Sequence, residues 1–236
     1  MRINTKLRDL YESHLEGLKQ MYNQLDEQKV INYTAPYLLY VWEDDYLNSR
    51  RKVMIIGQET DGWNDIYVRN RDDINGVIET YKDFDYGRNY YNSPLWKYVR
   101  EINKMINGDE TLPHAVIINN LNKFGKSDGK GRPETIVTKL ENKYFNIMRE
   151  EINILQPDAC IFLTGPNYDD DIKAKFPDVQ FTPISGYPMR KLAKLTASGL
   201  PLAFRTYHPG FGQRRDSDKR YTNMLSLISE EIRQMR

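Results

Sequence analysis

Apolar and polar positions follow two rhythms along this chain, and each change of rhythm marks an element. Leu7, Leu10, Tyr11, His14, Leu15, Leu18, Met21, Tyr22 and Leu25 recur every three or four residues across positions 4–29. That is the spacing of an amphipathic helix, and Asn4 or Thr5 can cap it. A shorter helical or irregular piece, Pro36 to Leu47, carries Tyr37, Leu38, Leu39, Tyr40, Val41 and Trp42. The rhythm then breaks. Val53, Met54, Ile55 and Ile56 form a continuous apolar run stopped by Gly57, which predicts a short strand buried on both faces. Ser93-Pro94 opens a helix with Leu95, Tyr98, Val99, Ile102 and Ile106 inward and Gly108 at its end. His114 to Asn119 predicts a second strand, Glu134 to Leu155 a long helix, and Ala159 to Leu163 a third strand. Val179 to Ile184 is a further short strand candidate, Met189 to Ala197 a short helix, and Leu202 to Thr206 the last strand. Asp216 or Ser217 caps a terminal helix that turns Tyr221, Met224, Leu225, Ile228 and Ile232 inward.

Strands alternating with helices argue for an α/β fold, a three-layer α/β/α sandwich on a mainly parallel four-stranded central sheet. Residues 1–50 are expected to form a helical layer packed on a main domain spanning 51–236. Residues 61–92 hold Trp63, Tyr67, Tyr81, Phe84, Tyr86, Tyr90 and Tyr91, and a connection of that length means a functional loop or further helices.

Composition narrows the class. Hydrophobic residues make up 39% and charged residues 28% of the 236, and no apolar run approaches the ~18 residues of a membrane span. Met1-Arg2-Ile3-Asn4-Thr5-Lys6 lacks the apolar core of a signal peptide. Cys160 is the only cysteine and sits in an apolar run, so a small core residue in a cytoplasmic protein is expected rather than a nucleophile or a disulfide. No partner histidine stands at helical spacing from His14, which reads as packed. Asp169, Asp170 and Asp171 most simply complement a helix N-terminus, and the alternative, a metal cluster, lacks a second ligand group. No metal and no cofactor are expected, and the protein is expected to act as a monomer.

The formal net charge is +1, which by itself does not suggest a nucleic-acid protein. Local distribution matters more. Lys123, Lys126, Lys130 and Arg132 against Asp128 give one loop an excess of three positive charges. Arg205, Arg214, Arg215, Lys219 and Arg220 against Asp216 and Asp218 give a second segment the same excess. Gly125-Lys126-Ser127 is not a phosphate loop, because Asn120 stands where that motif requires a glycine.

In an open parallel sheet ligands bind beyond the carboxyl ends of the strands. That edge receives Gln58-Glu59, Asn119-Asn120, Thr164-Gly165 and His208-Pro209, with the basic loops opening on the same side. Glu59 alone reads first as a solvated residue at an ordinary strand exit. A carboxylate, a carboxamide and an imidazole together beside positive loops suggest a site.

Gly57-Gln58-Glu59-Thr60, Val116-Ile117-Ile118-Asn119 and His208-Pro209-Gly210, in this order, resemble the uracil-DNA glycosylase superfamily. That superfamily has a first-strand motif such as G-Q-D-P-Y, a strand ending in Asn, and later H-P-S. Ser93-Pro94-Leu95-Trp96-Lys97 is similar to the helix after the first motif, and the likeness spans about residues 52 to 235. It implies a uracil-DNA glycosylase-like fold and an N-glycosylase acting on a base flipped from DNA. Glu59 then falls where the water-directing Asp sits, Asn119 where a base edge is read, and His208 where the base oxygen is bonded. The types suit the reaction: breaking an N-glycosidic bond builds positive charge on the sugar and negative charge on the base. The resemblance further implies substrate contacts from Gln58, Gly165, Gly210 and Phe211, with Tyr90, Tyr91, Tyr86 and Phe84 as stacking candidates. Lys126, Lys130, Arg214 and Arg215 would meet the DNA backbone. Three departures stand out: Glu59 for Asp, Thr60 for the motif proline, and Gly210 for serine. A member of the fold that binds nucleic acid or a nucleotide without cleaving it, and a protein for a small non-nucleic-acid ligand, are the alternatives.

Overall fold

Val53, Met54, Ile55 and Ile56 are fully buried, and a backbone with no water beside it must find its hydrogen bonds in neighbouring strands. The computed structural model describes residues 2–62, 73–90, 93–211 and 217–235, with 88–90, 211, 217 and 218 described by backbone alone. In chain order the elements are α1 (Ile3–Ser13), α2 (Leu15–Glu27), α3 (Glu43–Leu47), β1 (Val53–Gly57), α4 (Ile74–Phe84), α5 (Pro94–Asn107), β2 (Val116–Asn120), α6 (Thr135–Tyr144), α7 (Met148–Leu155), β3 (Ala159–Phe162), α8 (Asp169–Lys175), β4 (Gln180–Pro183), β5 (Leu192–Thr196), β6 (Leu202–Thr206) and α9 (Ser217–Arg233). Among the described residues the strands form one six-stranded sheet in the order β2-β1-β3-β6-β5-β4. β1, β3 and β6 are parallel, with Ile56 opposite Phe162 and Phe162 opposite Arg205. β5 runs antiparallel to β6, and β4 antiparallel to β5. The chain is therefore α/β, and none of its described helices is long and apolar enough to cross a membrane.

The sheet is mixed and has six strands rather than the expected four, because the candidate Val179 to Ile184 joins it as β4 and Met189 to Ala197 supplies β5 and not a short helix. The stretch is closed in by Pro188 and Gly199, too short to nucleate a stable helix, and its backbone finds partners on both sides in β6 and β4. Two expected helices are each broken once. Positions 4–29 divide at His14, whose ring meets Phe145 edge-on at 6.1 Å, and 134–155 divide at Phe145–Ile147. Leaving helical geometry there lets Phe145 and Ile147 both be buried. α1 starts at Ile3 with Arg2 in the capping position, so Asn4 and Thr5 lie within its first turn. Within 61–92, α4 fills 74–84, and Trp63, Tyr67 and Tyr91 lie outside the described residues.

Two compact units divide the chain. One comprises Met1–Tyr40, Gln58–Phe84 and Asn120–Leu155; the other comprises Val41–Gly57, Asp85–Asn119 and Gln156–Arg236. The first is helical, with α1 against α7 and α4, and α2 against α6. The second holds the sheet, apart from Asn120 at the end of β2, and packs α5 against α9 through Tyr98 and Tyr221, whose rings meet edge-on at 4.7 Å. Tyr221, Met224, Leu225, Ile228 and Ile232 are buried, and the Tyr221 hydroxyl donates to the Tyr207 carbonyl at 2.9 Å, tying α9 to the chain that leaves β6.

At the amino end of β2, His114 stacks on Trp42 at 3.8 Å, with Nε2 2.6 Å from Asp85 Oδ1 and Nδ1 3.3 Å from Asp45 Oδ2. The Tyr86 hydroxyl donates to the Val116 carbonyl at 2.8 Å, and its ring packs on Trp42, Trp96 and His114. These contacts hold Asp85 and Tyr86 in left-handed backbone, φ 46° and 51°. Tyr86 is thus a packed core ring at the amino end of a strand.

Burial raises the phenols of Tyr11, Tyr46 and Tyr221 above 10.0 and the thiol of Cys160 above 9.0. The folded chain keeps protons that the unfolded chain releases, so stability is intact below those values and falls as pH rises past them. Each group contributes a slope of about 1.4 kcal/mol per pH unit. Urea unfolding should show little change near pH 8 and a steep loss above about pH 10, with Tyr221→Phe reducing the slope by about 1.4 kcal/mol per pH unit. An unchanged slope in that variant would contradict the assignment.

Candidate active site

The chain leaving β1 is fixed from both flanks. The Gln58 carbonyl accepts the Asn122 N–H at 3.0 Å, which sets the exits of β1 and β2 side by side, as in a parallel pair. Thr60 is buried, with its hydroxyl 3.2 Å from that of Thr34. Thr34 in turn accepts the Gly125 N–H on its hydroxyl at 2.9 Å and donates its own N–H to the Gly125 carbonyl at 3.0 Å. A Cβ on Gly125 would stand 2.3 Å from the Thr60 carbonyl oxygen, so only glycine lets the two backbones approach. Gln58 and Glu59, both half-buried, ride on a stretch held at Gln58 and Thr60. Where the resembled motif has a proline ring, Thr60 uses a hydroxyl network.

The same segment overturns part of the charge reading. Lys123 is not in a solvated basic loop: it is 1% exposed, and its ammonium donates to both oxygens of Glu151 at 2.8 and 2.7 Å. Tyr11 donates to the same carboxylate at 2.9 Å and accepts the Leu39 N–H at 3.1 Å. The Lys123 N–H goes to the buried Glu141 at 3.1 Å, and its carbonyl accepts the Tyr37 N–H at 2.7 Å. Lys130 is exposed and pairs with Asp61 at 3.1 Å, a contact of little strength in water, while Lys126 is half-buried.

At the exit of β6, His208 is half-buried and its Nδ1 accepts the Gly210 N–H at 3.2 Å. In the neutral ring the proton then sits on Nε2, which becomes a donor. A Cβ at Gly210 would come within 3.3 Å of Nδ1, so the turn favours glycine where the resembled motif has serine. Gly165, left-handed at φ 75°, donates its N–H to the Thr206 carbonyl at 2.9 Å and joins the exits of β3 and β6 on one sheet edge. Asn119, inside β2, is fully buried, and its Nδ2 lies 3.7 Å from Met54 Sδ. Tyr90 and Phe211 are described by backbone alone, and Tyr91, Arg214 and Arg215 lie outside the described residues. Among the described residues no group of three or more His, Cys, Asp or Glu could hold a metal ion.

No protein-family model matches this chain, and no curated protein matches it.

Two buried cations, one in each unit, were hidden in the sequence. Lys123 lies between the buried Asn122 and Phe124, a flanking pattern that signals an internal lysine better than its Lys- and Gly-rich successors do. Arg205, counted among the basic-segment cations, is 1% exposed and forks onto Asp169 at 2.9 and 3.0 Å. Burial pushes the Asp169 carboxyl above its ordinary value while the Arg205 guanidinium pulls it back.

Breaking the internal ion pair should cost far more than a surface charge. Lys123→Ala leaves Glu151 buried and uncompensated, an expected loss of about 3–5 kcal/mol in urea unfolding. Lys123→Met combined with Glu151→Leu should recover most of it, and a loss below about 1 kcal/mol for the single variant would show that the pair is solvated.

Proposed function

We propose that this chain is a divergent uracil-DNA glycosylase-like protein that hydrolyses the base–sugar bond of a damaged base flipped out of DNA. Its fold in this reading is a three-layer α/β/α sandwich built on β2, β1, β3 and β6, with the β4–β5 pair added at one edge. The observation that carries the reading is at the β6 exit, where the Gly210 N–H occupies His208 Nδ1 and commits the other ring nitrogen to donating. A donor is what an excised base needs, because the electron pair of the broken bond departs onto it. The Glu59 carboxylate faces the opposite demand, stabilising the sugar cation and taking a proton from the water that attacks C1′. The water oxygen stays on the sugar, and the departing base takes up a proton. Support for a fixed carboxylate comes from the Thr34, Gly125 and Asn122 contacts on either side of it, since positioned groups contribute most. Asn119 would read the base edge with its carboxamide.

One observation favours a second reading. Asn119 is fully buried with its amide against Met54, so base reading requires it to be uncovered on binding. A repurposed member that binds nucleic acid or a nucleotide without cleaving it needs no such step.

The two readings part on free base. Duplexes carrying uracil, hypoxanthine, xanthine or alkylated bases should yield abasic sites, cut by alkali, with at least one of them. Glu59→Gln should lower release by at least about a hundredfold and leave DNA affinity nearly unchanged, and His208→Ala should lower it by about 10²–10³. Binding without release from any substrate establishes the second reading, and neither binding nor release removes both.

A further inference from the structure

The eight residues between β4 and β5, Ile-Ser-Gly-Tyr-Pro-Met-Arg-Lys (184–191), carry two cations and no acid. Their place follows from register. β5 is antiparallel to β6, with Leu192 opposite Thr206, so the connection turns at the carboxyl end of β6, two residues before His208. It is also firmly mounted. Buried Arg205, forked onto Asp169, donates from Nη1 to the Arg190 carbonyl at 2.9 Å, and Thr206 donates its hydroxyl proton to the Lys191 carbonyl at 3.2 Å. Two backbone turns, Tyr187 N–H to the Ile184 carbonyl at 3.0 Å and Lys191 N–H to the Pro188 carbonyl at 2.8 Å, shape the tip.

What the tip presents is a fixed backbone with exposed side chains. Arg190 and Lys191 are exposed, and the Arg190 guanidinium donates to the Asn167 amide oxygen at 3.4 Å in the loop after β3, a long contact at the surface. Met189 is 46% exposed. The other exposed large apolar residues described in this unit, Leu47 and Leu112, precede β1 and β2 and so belong to the opposite edge of the sheet. An uncovered methionine beside two cations on a rigid turn matches a nucleic-acid strand: cations for phosphates, and an apolar wedge for the gap left by an extruded nucleotide.

We infer that the 184–191 hairpin is a DNA-engaging arm beside His208, with Arg190 and Lys191 on the backbone phosphates and Met189 against the bases next to the flipped position. This rests on the reading above that the protein acts on DNA. An arm anchored through Arg205 adds binding without an ordering cost, because its backbone is already held.

The test measures fluorescence anisotropy of the full chain on two short labelled duplexes, one intact and one carrying a single tetrahydrofuran abasic analogue, over a range of KCl. The wild type and the Arg190→Ala/Lys191→Ala variant are compared. The slope of log Kd against log salt should shrink by about 1.8 in the variant, one release of counterions for each lost phosphate contact. Met189→Ala should keep the wild-type slope and lose about fivefold or more of the preference for the abasic duplex. An unchanged slope in the double variant together with unchanged preference in Met189→Ala overturns the arm while leaving the DNA reading intact. Wild-type protein that binds neither duplex overturns the DNA reading itself. Thermal unfolding at the wild-type temperature confirms that the exposed substitutions leave the fold alone, and Arg190→Glu/Lys191→Glu should weaken binding beyond the alanine pair.

Discussion

A single buried ion pair holds up one of the helical unit's most polar segments. Lys123 places its ammonium on both oxygens of the buried Glu151, and the Tyr11 hydroxyl donates to the same carboxylate. Ion pairs of this kind seldom add net stability over well-packed apolar side chains, but they tolerate very few geometries. Here the geometry sets the path of residues 122–125. From Asn122 the path reaches Gln58, and from Gly125 it reaches Thr34 and Thr60. A charge pair formed by a loop and α7 thus becomes a constraint on the backbone that carries Glu59.

The exit of β6 is governed by a smaller set of contacts with the same logic. One backbone N–H, from Gly210, decides which nitrogen of His208 donates. Tyr221 secures the neighbouring Tyr207 carbonyl from α9, and Thr206 and Arg205 secure the hairpin behind it. Two of the three departures from the resembled motifs acquire physical reasons. Thr60 replaces ring rigidity with a hydroxyl bond, and Gly210 keeps a Cβ out of contact with the imidazole.

The sequence made the parallel strands legible because each is a short run of apolar residues between turn-prone or polar flanks, too short for a helix: Val53–Ile56, Ala159–Phe162 and Leu202–Phe204. The inner face of α9 was legible from its three-and-four spacing. β5 was not, since Leu192 and Leu195 suit a helical period, and the antiparallel partners that settle the matter lie in other segments. Lys123 misled because lysine beside glycine and lysine normally means solvent, while its partners Glu141 and Glu151 stand 18 and 28 residues away. Of the candidate site, the residue types and their places after strands were readable. The tautomer of His208, the burial of Asn119 and the hydroxyl bond of Thr60 depend on contacts that no local pattern encodes.

The proposed base excision would require that a nucleotide leave the duplex and meet the groups assigned to it, its base at His208 and its sugar at Glu59. A crystal structure of the protein with a duplex carrying one carbon-linked nucleoside, which cannot be hydrolysed, tests this directly. The account predicts that nucleotide extruded, a base oxygen within hydrogen-bond distance of His208 Nε2, and the Glu59 carboxylate on the sugar side. A nucleotide still stacked in the duplex, or DNA bound away from these two residues, would contradict it.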